Sequence, residues 1–161
     1  MSNEDVRKTV PLTLPEDDYV FKFGAAFFAT SWIEVRLRYK IYLLGEIFDL
    51  YSNPGPGSSL GKVIEAFLLS MKQSENDQLI EMREWFVEPL RKLVERRNDL
   101  GHGLPITDAD SKQKLYRITD SKRFVVEHQD MNELIELVGE IYPKLDELRA
   151  ILEPMKDGVE I

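Results

Sequence analysis

FVEPLRKLVERRNDLGHG, residues 86–103, decides how this chain is read. Phe86, Leu90, Leu93, Arg97 and Leu100 follow a 4, 3, 4, 3 spacing, which places them on one face of a helix. Arg97 therefore falls on a stripe that otherwise seeks apolar neighbours. Asn98 follows Val87 and Val94 on the adjoining row, so two polar groups interrupt an apolar surface at one level. Burying an unpaired guanidinium costs several kcal/mol, so Arg97 needs a carboxylate, carbonyls or a ligand anion. The helix is expected to end near Leu100, with Gly101 as a left-handed terminator and His102 just beyond it.

Working outward, the same periodicity predicts three more helices. From about Pro15 to Tyr51, Val20, Phe27, Ile41 and Phe48 keep one seven-residue series, while Phe21, Phe28, Val35 and Tyr42 keep another. Two apolar flanks on one helix imply two packing partners. Glu34 fills the gap in the first series and Ser31 lies one turn before it. Glu34 either sits at the solvent edge of the stripe or pairs with a cation, and Arg97 is the expected partner. The stretch NPGPGSS, Asn53 to Ser59, is a loop because its prolines and glycines cannot continue a helix. It lacks the spacing of a phosphate-binding loop, and Val63 stands where that motif needs Ser or Thr.

Ser58 or Ser59 caps a second helix whose inner face runs Leu60, Val63, Ile64, Phe67, Leu68 and Met71. The third helix starts near Asn76 or Asp77, with Pro89 expected to bend it. Leu115 to Ile118 and Phe124 to Glu127 flank TDSK and predict a β-hairpin. Asp130, with Glu133 three residues on, is the expected cap of the last helix, which turns Ile135, Val138, Leu145, Leu148 and Leu152 inward and kinks at Pro143. The expected fold is thus mostly α, a four-helix bundle with a short β-hairpin between helices 3 and 4, in a single domain over 1–161 whose ends, 1–15 and 154–161, are loose.

Composition narrows the function. With 43% apolar residues among 161, the chain can bury a core. The absence of cysteine excludes a disulfide scaffold and thiol catalysis. Two histidines at unrelated positions form no ligand cluster, so neither a metal nor another cofactor is expected. No apolar run approaches the ~20 residues of a membrane span, and the N-terminus has no apolar signal core, so no membrane partner and a cytoplasmic location are expected. A net charge of −8 argues against coating nucleic acid but allows a local site. Arg91, Lys92, Arg96 and Arg97 form a basic cluster on the segment that carries His102; Arg91, Lys92 and Arg96 are either a solvated helix end or substrate contacts. His128 has no such company and is expected at the surface.

RNDLGHG, Arg97 to Gly103, resembles the signature of the HEPN superfamily, an arginine, often a polar neighbour, and a histidine four to six positions on. A long first helix, a capped second, the motif ending the third and a closing fourth extend the resemblance over roughly Pro15 to Leu152. Many HEPN members are metal-independent ribonucleases, often toxins or defence effectors, whose two motifs share a cleft in a homodimer; others are non-catalytic interaction domains. The resemblance implies that Arg97 and His102 are catalytic, with Asn98 orienting them or holding a phosphate. The residues themselves add Glu34 and Ser31 as supporting groups, from the interrupted stripe of the first helix, and Lys92 and Arg96 as substrate contacts, from the basic cluster. The resemblance further implies a homodimer, an RNA substrate and an antitoxin or other regulatory protein as partners. Cleaving RNA through its own 2′-hydroxyl needs a base, an acid and positive charge at the phosphate, which two imidazoles and an arginine supply.

Overall fold

The computed structural model describes residues 15–50, 54–107, 109, 111–119 and 123–158. The expected turn at Asp120 to Lys122, the end of the first helix at Tyr51 and most of both termini lie outside the described residues. Helix α1 spans Asp17–Phe48, α2 Leu60–Gln73 and α3 Asp77–Gly101. Strands β1 (Leu104–Thr107), β2 (Gln113–Ile118) and β3 (Arg123–Val126) follow, and α4 (His128–Lys156) closes the chain. The fold is mostly α. No helix among the described residues is long and apolar enough to cross a membrane.

Local chemistry sets the boundaries. Asp17 and Asp18 sit in the first turn of α1, where the helix dipole favours negative charge. Ser59 and Asn76 cap α2 and α3, their side chains accepting from the backbone N–H of Lys62 and Leu79. The cap of α4 differs from expectation. Glu127 is the capping residue and Asp130 its reciprocal partner at the third helical position, so the capping box starts three residues earlier than Asp130 and Glu133 suggested. Both α3 and α4 run on as single helices past Pro89 and Pro143, and α4 continues through residues 154–156, which were expected to be loose.

Two further expectations are corrected. The hairpin is the latter part of a three-stranded antiparallel sheet ordered β1-β2-β3, with Leu104 opposite Tyr116 and Leu115 opposite Val126. Strand β1 carries Pro105 and is largely exposed, as an edge strand tolerates, so neither alternation nor an apolar run marked it. Gly101 is helical and has no positive φ; His102 ends α3 instead, its N–H bonding the Asn98 carbonyl at 3.1 Å.

The helices enclose one core, to which α1 gives Ala26, Ile33, Leu37, Ile41 and Leu44, α2 Val63, Phe67 and Met71, α3 Phe86, Leu90, Leu93 and Leu100, and α4 Met131, Leu134, Ile141, Leu145, Leu148 and Leu152. Helix α1 packs chiefly on α4 and α2, and α3 on the same two, so α1 and α3 face each other diagonally and meet at few points. Tyr19 pins the sheet to the start of α1. Its buried hydroxyl donates to the Val126 carbonyl (2.9 Å) and accepts from the Leu115 N–H (3.1 Å). Burial raises its pKa above the ordinary tyrosine value, an effect the Leu115 N–H opposes.

Candidate functional site

The motif sits where α3 stops and the chain turns into the sheet. Arg97 occupies the core-facing row of α3 but near its open end, where it is half-buried. Its guanidinium carbon lies 5.5 Å from the centre of the Phe27 ring on α1, and its Nη1 lies 3.7 Å from where a Cβ on Gly101 would be. That absent Cβ would also stand 3.3 Å from the edge of the Phe27 ring, so glycine at 101 leaves room for the stack. A cation over an aromatic face contributes roughly 0.5–1 kcal/mol at a partly exposed site. Among the described residues no carboxylate or carbonyl hydrogen-bonds the Arg97 guanidinium.

His102 is exposed at the helix end, beside the residue that the Arg97 guanidinium approaches. Its backbone N–H is held by the Asn98 carbonyl. That bond is the ordinary last one of the helix and involves no side chain; the half-buried Asn98 amide is not hydrogen-bonded among the described residues. The sheet backs this end of α3. Arg117 on β2 lies 3.5 Å from Asp99, and Leu115 packs so tightly on Gly103 that a Cβ there would come within 2.8 Å of the leucine Cβ. Neither Asp99 nor Arg117 was singled out in the sequence; their pairing depends on β2 folding back onto α3, which no local spacing encodes.

Glu34 does not pair with Arg97 in this chain. Its Oε1 accepts from Arg38 Nε and Nη2 at 3.0 and 2.8 Å, one helical turn away. Arg38 in turn donates to the carbonyls of Pro54, Gly55 and Ser58. The pair therefore clamps the proline-glycine loop to α1. The physical reason is position: Arg97 meets α1 at Phe27, and Glu34 lies seven residues further, about 10 Å along the axis. Ser31 does not reach Arg97 either, its hydroxyl donating to the Phe27 carbonyl of its own helix (2.9 Å).

The rest of the basic cluster is neutralised. Arg96 reaches Glu133 at 2.7 Å and Asp130 at 3.6 Å, tying α3 to α4. Lys92 lies 3.6 Å from Glu88, and Arg91 pairs with Glu88 and Glu95. The exposed Glu88 carboxyl is held below its ordinary range, first by the Arg91 hydrogen bond. A cleft of about 730 Å³ is lined by Arg91, Lys92, Glu95 and Arg96 together with Arg123 and Asp130, on the side of α3 turned away from Arg97. Arg96 and Lys92 are thus engaged with carboxylates, which weakens their case as substrate contacts. His128 is half-buried, 3.2 Å from Asp18 and edge-on to Tyr19, not a free surface residue.

No protein-family model, curated protein or solved structure matches this chain.

Proposed function

We propose that Arg97 and His102 form a phosphodiester site of HEPN type, which cleaves single-stranded RNA without a metal ion when two copies bring their motifs together. The observation that supports this most is the Arg97 guanidinium, which carries its charge at the helix end without a hydrogen-bonding protein partner among the described residues, while the cations beside it are matched by carboxylates. An arginine with open donors, at the same helix end as an exposed histidine, is suited to an anion.

In the proposed reaction one His102 takes the proton of the ribose 2′-hydroxyl. The 2′-oxygen then bonds to phosphorus as the bond from phosphorus to the 5′-oxygen breaks, and the second His102, protonated, gives its proton to that leaving oxygen. The products are a 2′,3′-cyclic phosphate and a 5′-hydroxyl. Arg97 offsets the charge that gathers on the phosphoryl oxygens. Cleavage should survive EDTA, and the rate should fall at both ends of the pH range because the two imidazoles act in opposite protonation states. His102→Ala and Arg97→Ala should each slow it by roughly 10² or more. Full activity in purified His102→Ala protein refutes the assignment.

A second reading is a non-catalytic HEPN-like dimer that serves as an interaction module. The net charge of −8 and the neutralised basic cluster favour it. Such a module binds protein or nucleic acid without cleaving it, and neither substitution then alters any nuclease rate above background. An antitoxin or other regulatory partner is consistent with either reading.

A further inference from the structure

The outward face of α1 is apolar. Phe21, Phe28, Val35 and Tyr42 form its most exposed line, at 74, 67, 57 and 53% of full exposure, with Trp32 and Tyr39 beside them at 47 and 41%. Together with Ala25 these positions alternate steps of four and three residues from 21 to 42, the spacing of a helix seam that packs against another helix. At 1.5 Å per residue the stripe is about 30 Å long. Scattered apolar side chains are ordinary on a surface, but a continuous row of five aromatics and a valine is not.

We propose that this face is a homodimer seam, in which α1 packs antiparallel against α1 of a second copy about a twofold axis near Thr30. Three features select a copy of the same chain in that orientation. The first is self-complementarity. An axis at residue 30 sets Phe21 against Tyr39 of the second copy, Ala25 against Val35 and Phe28 against Trp32, so each stripe residue from 21 to 39 meets another stripe residue and the small Ala25 makes room for the branched Val35. Phe28 and Trp32 already stand edge-to-face, 6.3 Å apart, which limits the side-chain freedom lost on docking.

The second is charge. The stripe begins beside Asp17 and Asp18 and ends at Tyr42, where the Lys156 ammonium lies 5.2 Å from the ring centre. Antiparallel packing brings each acidic end to the Lys156 end of the other copy and opposes the two helix dipoles. Parallel packing would set Asp17 and Asp18 against themselves. The third is area. Aromatic side chains expose about 150–250 Å² each when free, so the stripe presents roughly 600 Å² of largely apolar surface. A stable interface covers ~800 Å² per partner, rim included.

The same geometry bears on the motif. A twofold axis perpendicular to two antiparallel helices keeps the Phe27 edge of both on one face of the pair, three residues from the axis. Both Arg97 side chains, stacked on those phenylalanines, then flank the axis on that face. The shared cleft, though not the seam, rests on the phosphodiester reading above.

The test is sedimentation equilibrium of the full chain at micromolar concentration, where twice 18.7 kDa is expected. Phe28→Asp and Val35→Asp should each give the single-chain mass with unchanged helical circular dichroism, since both positions are exposed. Because the chain has no cysteine, cross-linking reads the orientation. The double variant Phe21→Cys/Tyr39→Cys should oxidise to a covalent dimer, whereas Phe21→Cys alone should not. A single-chain mass for the unaltered protein, a dimer that survives both aspartate substitutions with native helicity, or efficient cross-linking through Phe21→Cys alone each overturns the proposal. A seam-mediated dimer that cleaves no RNA leaves the seam standing and removes the nuclease reading; a dimer that survives both aspartate substitutions and cleaves RNA does the reverse.

Discussion

Lys40→Met should make this protein more stable at neutral pH. The Lys40 side chain is wholly buried between α1 and α4, and its ammonium has no hydrogen-bond partner. The charges around it are already matched, with Arg36 bonded to Asp146 at 2.9 Å and Arg149 to Glu153 at 2.6 Å, which leaves Lys40 as the surplus cation. Burial first, then Arg36 and Arg149, push its pKa down from 10.5 to about 8. The lysine binds its proton less tightly folded than unfolded, so keeping it charged in the fold costs about 3 kcal/mol at pH 7. The sign with pH follows. Between about 8 and 10.5 the unfolded chain holds more protons at this site than the folded one, so the wild type gains stability there, and the cost falls below about 1 kcal/mol by pH 10.

Methionine keeps the length and volume of the side chain without the charge, and replacing buried ionic groups by packed apolar ones is often stabilising by ~1–4 kcal/mol. Urea unfolding of both proteins at one concentration should therefore show the variant ahead by roughly 1–3 kcal/mol at pH 7, with most of that lead gone at pH 10. Concentration must be held fixed because self-association would add its own stabilisation. A variant less stable at pH 7, or a lead that does not change between pH 7 and 10, would show that Lys40 is not an uncompensated charge.

Two other substitutions probe the support behind the motif. Tyr19→Phe removes the hydroxyl that bridges Val126 and Leu115 and leaves two backbone groups without that partner, so it should cost about 1–3 kcal/mol in thermal or urea unfolding; a loss below a few tenths would mean water replaces the hydroxyl without penalty. Gly103→Ala drives a methyl to 2.8 Å from the Leu115 Cβ and should destabilise by roughly 1–3 kcal/mol, with the companion Leu115→Ala restoring part of the loss; equal stability of wild type and Gly103→Ala would show that the α3–β1 junction gives way freely.

Helices α2, α3 and α4 were legible because each has one clear face and chemically marked ends. Leu60, Val63, Ile64, Phe67 and Met71 are buried as their spacing requires, and Ser59 and Asn76 cap as their side chains allow. Helix α1 was harder because it is apolar around most of its circumference. Both seven-residue series are real, but neither is the centre of the core; that row is Ala26, Thr30, Ile33, Leu37 and Leu44, and Phe21, Phe28, Val35 and Tyr42 point outward. Small residues at 26 and 30 allow close helix approach, a cue weaker than the aromatic repeat that overshadowed it.

The site shows the same division between what spacing encodes and what packing decides. Periodicity places Arg97 and Glu34 on interrupted stripes of their own helices, yet it says nothing of which helices are neighbours and which are diagonal. With α1 diagonal to α3, their meeting point is Phe27, and Glu34 turns to Arg38 at the i,i+4 distance that every helix supplies. The failure of that pairing has a chemical consequence. A carboxylate on Arg97 would have matched its charge, whereas an aromatic ring orients the guanidinium and leaves its hydrogen-bond donors unspent. Arg97 is thus positioned by α1 without being neutralised by it, which is the condition an anion-binding arginine needs.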